Sequence, residues 1–458
     1  MKTLQISKSD RLGKEPIVPL LFKLSIPSII AMATQAMYNI VDSIYIAQIS
    51  EDALTAVGLA FPLQMILIAI AVGTGVGTSS YISRQLGKGN KERASNAAEH
   101  VILSVFIYGF LIALIGYFFS EELISFFIKD PEIIAMGAEY INIIFIGSMA
   151  LFIPMIGNNI LRGEGNTFYP MIIMLIGSVL NIILDPFFIF GIGFFPKLGI
   201  GGAAIATVFS RIISGSILLL LLFSDKNEIS LNLKNFEFDF SIIKDVYRVG
   251  LPAMIMQLLA SLMMSFINFL LGDTHKTAIA VMTVYFRLQS FVFMPVFGLN
   301  QGYMPLMGYN YGHGKPERMK KTIKTAFFIA FAFTITGFIV FQIFPEQLLG
   351  LFGENPTPEF INLGVIAFKK ISLAFPIIGL SIIISTTFQA IGKGWPSLAL
   401  SMLRQLGILI PLFYIFLRYA GINTVWYAFP ISELTAFIFG GLWLRSHLKT
   451  TFQRLAEA

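Results

Sequence analysis

Long apolar runs separated by short polar connections recur along the chain, at residues 22–47, 53–80, 95–119, 135–160, 168–192, 199–223, 247–271, 277–309, 319–344, 361–391, 395–418 and 424–446. Each run matches or exceeds the roughly 20 residues an α-helix needs to cross a hydrocarbon core. Lipid satisfies no backbone polar group, so helices and closed barrels are the solutions open to a spanning chain. Continuous runs of this length are not the alternating segments of about ten residues that build a barrel. The pattern therefore predicts an all-α integral membrane protein with twelve transmembrane helices.

The polar connections carry a topology signal. Arg84, Lys88, Lys91 and Arg93 follow the second run, and Lys315, Arg318, Lys320, Lys321 and Lys324 follow the eighth. Glu51 and Asp52 occupy the first connection, and Glu121, Glu122, Asp130 and Glu132 surround Lys129 in the third. The positive-inside rule assigns the basic connections to the cytoplasm of a multi-pass plasma-membrane protein. An even span count then predicts two cytoplasmic termini, in keeping with Lys2, Lys8, Arg11 and Lys14 at one end and Arg445, Lys449 and Arg454 at the other. The charged start of the chain lacks an apolar core, so the first span is expected to do the targeting itself.

Residues 224–246 form the longest polar stretch, with six runs on each side. They read as a cytoplasmic linker between an N-lobe (1–223, spans one to six) and a C-lobe (247–458, spans seven to twelve). KLSIPS at 23–28 matches RVGLPA at 248–253, and LGKGNKER at 86–93 matches YGHGKPER at 311–318. Pro186 and Pro411 repeat the step from Pro27 to Pro252, 252 − 27 = 225. A constant offset in three regions predicts an internal duplication. Six is even, so both halves enter the membrane in the same direction, as in transporters with a cavity between parallel repeats.

Composition narrows the function. Of 458 residues, 56% are hydrophobic and 13% charged, with a mean hydropathy of +0.77, against about 25% charged in soluble domains. The net charge of +6 is spread over short loops and forms no single basic face, which argues against a nucleic-acid partner. Membrane lipid is the expected surrounding and a monomer the expected unit. Zero cysteines exclude disulfides, thiolate metal sites and cysteine nucleophiles. No G-x-x-x-x-G-K-[ST] occurs, so ATP hydrolysis has no cradle and no cofactor is expected. Energy is expected from an ion gradient.

Ionisable residues inside spans cost about 2.5–3.5 kcal/mol and mark function by default. They are Asp42, Asp185, Arg211, Arg287, Arg404 and Glu433. Tyr38 shares a helix face with Asp42, and Asn181 with Asp185, four residues apart. With the hydroxyl of Thr207 these groups make an oxygen-rich set suited to a hard cation or a proton. Structural hydrogen bonding between helices is the plain alternative. Pro186 cannot donate to Ile182, and with Pro27 it is expected to let its helix bend. Tyr38, Met256 and Gln257 are candidate cavity residues, beside methionine-rich stretches that re-pack around varied guests or simply fill the core. Arg287 reads as orienting substrate or pairing between helices. Glu433 reads as drawing in cationic substrates, closing the lobes with Arg211, or serving structure. GTGVG at 73–77 reads as helix packing or a flexible point.

Four segments carry a family likeness: IPSIIAMATQAMYNIVDSIYIAQISEDALTAVGLAFP at 26–62, GVGTSSYISRQLGKGN at 75–90, LRGEGNTFYP at 161–170 and NIILDPFFIFGIG at 181–193. On these the chain resembles the multidrug and toxin extrusion (MATE) transporters, in their bacterial MepA-like branch. The resemblance implies two six-helix lobes and export of amphiphilic organic cations in exchange for Na+ or H+. It also implies a coupling site at Asp42, Asn181, Asp185 and Thr207. The seventh and tenth spans carry no acidic residue, so no second carboxylate site is expected in the C-lobe. Among rivals, an intramembrane aspartyl protease lacks its G-x-G-D context, and a channel would show currents without saturable exchange. A lipid-linked oligosaccharide or lipid flippase of the same superfamily stays open through Arg287 and Arg404.

Overall fold

A computed structural model describes residues 9–193, 195–224, 227–232, 236–352 and 357–457. Lys2, Lys8, the side chain of Arg454 and part of the 224–246 linker lie outside the described residues. Among the described residues there are helices and no strand. A short α1 (Asp10–Lys14) precedes α2 (Ile17–Ala47), α3 (Glu51–Gly87), α4 (Lys91–Ser125), α5 (Pro131–Ile146), α6 (Ser148–Gly163), α7 (Phe168–Phe190) and α8 (Gly199–Leu222). These make the first lobe. The second holds α9 (Phe240–Leu271), α10 (Lys276–Gly312), α11 (Pro316–Ile343), α12 (Pro345–Gly350), α13 (Pro358–Ile371), α14 (Phe375–Ala390), α15 (Gly394–Met402), α16 (Ile410–Tyr419), α17 (Ile422–Val425) and α18 (Ala428–Glu457).

Eleven of the described helices or helix runs are long and apolar enough to cross a membrane, and the α5–α6 pair, bent by 51°, makes a twelfth. The helices begin where the connections supply caps. Ser50 accepts a hydrogen bond from the Ala53 N–H at 2.9 Å, and the Asp130 carboxylate accepts from Glu132 N–H at 3.0 Å with Pro131 at the first helical position, both standard N-terminal devices. α2 and α7 continue as helices through Pro27 and Pro186. The break in the first lobe falls instead at Gly147. In the second lobe, residues Leu403–Leu409 form a π-helical stretch between α15 and α16.

The lobes meet in a seam where α3 packs on α9 and α10 packs on α2. Glycines line it, and they repeat at the 225-residue step. A side chain on Gly73 would collide with Met254, and one on Gly298 with Ile29. Gly87 abuts the Tyr309 carbonyl, and Gly312 the Arg84 carbonyl. Each contact is the other shifted by 225, as a two-fold relation between the lobes requires. Small residues allow this close helix approach.

The same symmetry holds two arginine clasps at the end carrying the basic connections. Arg93 at the start of α4 donates to Asp239 at 3.1 Å and to Ser241 at 2.9 Å, where the chain enters α9. Its counterpart Arg318, at the start of α11, donates to the carbonyls of Leu12 at 3.0 Å and Glu15 at 2.5 Å, just before α2. Leu12 is fully buried, and Arg11 reaches the Gly165 carbonyl at 3.1 Å, so α1 ties both lobes together.

Candidate functional site

α2, α7 and α8 bring four oxygen-bearing side chains together inside the first lobe. Asn181 and Asp185 lie one turn apart on α7, and the Asn181 amide donates to the Asp185 carboxylate at 3.1 Å and to the Thr207 hydroxyl of α8 at 3.2 Å. Asp42 of α2 faces Asp185 carboxyl to carboxyl. Asp185, Asn181 and Thr207 are buried. Asp42 Oδ1, Asn181 Oδ1 and Asp185 Oδ2 are shielded from solvent with no hydrogen-bond donor among the described residues. Buried acceptors left unmade cost about 1–3 kcal/mol each. A proton or a small cation would satisfy them, so the donor set fits either. Arg211 of α8 donates to the Tyr38 hydroxyl at 3.3 Å and stands near Asp42. Tyr140, buried on α5, lies near Asp42, Tyr38 and Arg211, facing Gln64.

Beside this cluster is a cavity of about 300 Å³. Tyr38, Asn181, Thr207 and Arg211 belong to its lining, together with Met32, Ile68, Met155, Asn158, Arg162 and Gln301. Asn181 thus faces the cavity and holds Asp185 as well. The other anticipated cavity residues sit elsewhere. Met256 and Gln257 are half-buried on α9 away from the lining. Arg287 borders a separate hollow with Thr283 and Phe360. Glu433 pairs with Arg404 of the π-helical stretch at 3.0 Å. Arg211 holds Tyr38 and Glu433 holds Arg404, each within its own lobe, and no ion pair joins Arg211 to Glu433 among the described residues.

Sequence reasoning passed over Arg162. It lies two residues beyond the apolar run at 135–160, so it read as part of a connection, whereas the helix extends to Gly163 and carries it inside. The LRGEGNTFYP segment was the available signal.

A two-lobed bundle of membrane-crossing helices, with a cavity of mixed polar and apolar lining beside buried carboxylates, is the architecture expected of a transporter. The MatE family model matches the chain twice, at residues 27–187 and 252–415, and the chain belongs to that family of transporters, which are not enzymes. The second match starts 225 residues after the first. Similar proteins include the FAD transporter of Shewanella oneidensis, 28% identical over 93% of this chain and 94% of that one. The multidrug export protein MepA of Staphylococcus haemolyticus is 27% identical over 89% of each chain. A solved MOP-superfamily transporter from Pyrococcus furiosus, described as having a binding pocket of reverse polarity that suggests a different function, is 31% identical. It covers 98% of this chain and 99% of that one, with a TM-score of 0.90.

Proposed function

We propose that this chain is a secondary antiporter that exports amphiphilic organic molecules in exchange for Na+ or H+ bound at Asp42, Asp185, Asn181 and Thr207. The observation that carries the reading is the position of Asn181. Its amide lines the cavity and also holds the Asp185 carboxylate and the Thr207 hydroxyl, so a cation on one side and cargo on the other act on the same side chain. Loading the acidic pair changes how α2 packs on α7, and cargo release follows that change. The basic connections and both termini face the cytoplasm. The N-lobe of residues 1–223 performs the exchange, the 224–246 stretch links it to the C-lobe of 247–458, and one chain suffices because it contains both lobes.

The test is reconstitution into liposomes under separate Na+ and H+ gradients. Asp42→Asn and Asp185→Asn are each expected to abolish gradient-driven export while melting temperature and elution volume stay close to wild type. Full export by both variants overturns the assignment.

A further inference from the structure

The cavity's charge does not match a cationic cargo. No Asp or Glu belongs to its lining, while two guanidinium groups do, those of Arg162 and Arg211. Arg211 is answered by Tyr38 and Asp42. Arg162 is not answered by any carboxylate among the described residues. It is 7% exposed, one of its terminal nitrogens sits 3.7 Å from the Met174 sulfur, and its Nε is shielded without an acceptor. A thioether is a weak acceptor, and a guanidinium does not escape by losing its proton. An uncompensated buried charge costs several kcal/mol. Asn158, one turn before Arg162 on α6, also lines the cavity, and its carboxamide oxygen has no donor.

We propose that the first-lobe cavity receives the acidic head, a phosphate or carboxylate, of an amphiphilic cargo, with Arg162 as its counter-ion. The planar fork of arginine matches both anions with paired hydrogen bonds. Met32, Ile68, Val72 and Ile173 offer the apolar wall for the body of the molecule. From Met174 beside Arg162 to Asn181 is seven residues of helix, about 10 Å. That distance keeps the acidic head away from the Asp42–Asp185 pair. The inference deepens the exporter reading and replaces its expected cationic cargo with one that is anionic or zwitterionic.

The experiment compares FMN with riboflavin, which share a ring system and differ by one phosphate, in equilibrium dialysis against the purified full-length protein. Wild type is expected to bind FMN about 10-fold or more tightly than riboflavin, and the ratio should rise from pH 5 to pH 7 as the phosphate gains its second charge. Arg162→Gln should bring the ratio to about 1, and Arg162→Lys should restore part of it. Competition by a long-chain prenyl phosphate but not by prenyl alcohol assigns the head to a lipid. Its absence assigns it to a soluble molecule. Equal binding of the two flavins by wild type, no saturable FMN binding, or preference for ethidium overturns the proposal. The wild-type ratio and its pH profile stand even where the Arg162 variants fail to fold. Dialysis needs no ion gradient, so a failed coupling site leaves this result intact, and a failed charge preference leaves gradient-driven export intact.

Discussion

Asn181 spends its amide hydrogens on Asp185 and Thr207, which makes it the group that orients the acidic pair. Partners of ion-binding ligands typically control affinity by about 10-fold to 100-fold. Asn181→Leu, similar in size but without a donor, is expected to raise the Na+ concentration for half-maximal export by that factor if Na+ is the coupling ion, and to displace the pH profile if H+ is. Stimulation curves in proteoliposomes read both. The adjacency of these side chains was legible because an Asp inside an apolar run stands out and a four-residue spacing puts Asn181 over it. Arg162 was not legible in this way. Its burial comes from packing between α6 and α7, and apolar periodicity does not separate it from the loop arginines; the LRGEGNTFYP segment alone marks it.

At the level of elements, the chain bends where apolarity gives no hint. Gly147 interrupts a run that is apolar on both sides, and a side chain there would press into Val208 of α8. The prolines drew attention for their missing donors, yet α2 and α7 absorb Pro27 and Pro186 without a break. Overpacking costs about 1–3 kcal/mol, and Gly147→Val is expected to destabilise the protein by that much in a thermal melt. The π-helical stretch from Leu403 to Leu409 was equally hidden, since its sequence has the apolarity of any span. It carries Arg404 to the largely buried Glu433. Arg404→Leu, which strands that carboxylate, is expected to cost about 3–5 kcal/mol. Arg404→Leu with Glu433→Leu should recover most of the loss, as the same melts would show.

Across the whole molecule, the duplication was readable because a fixed step of 225 links proline, glycine and arginine positions in separate regions. What the repeated arginines do was not readable. Arg93 and Arg318 each close on the segment leading into the other lobe's first helix, a contact that exists only once the halves are assembled. Alternating access requires such interfaces to have two arrangements. Gly87→Leu or Gly312→Leu should therefore push the lobes apart at the basic end. With no native cysteine in the chain, spin labels at positions 90 and 315 would report the separation directly, and unchanged distances would count against the seam as the closing contact.

The two kinds of closure differ in their physics. Glycine rungs hold no charge that counter-ions can screen, and Arg318 donates to neutral carbonyls, whereas the exposed Arg93–Asp239 ion pair fades once the Debye length shrinks to about 3 Å in molar salt. A transporter closed by both should keep its glycine rungs in brine while the Arg93–Asp239 pair loosens, so that salt shifts the balance toward opening at one of the two clasps and leaves its symmetry mate in place.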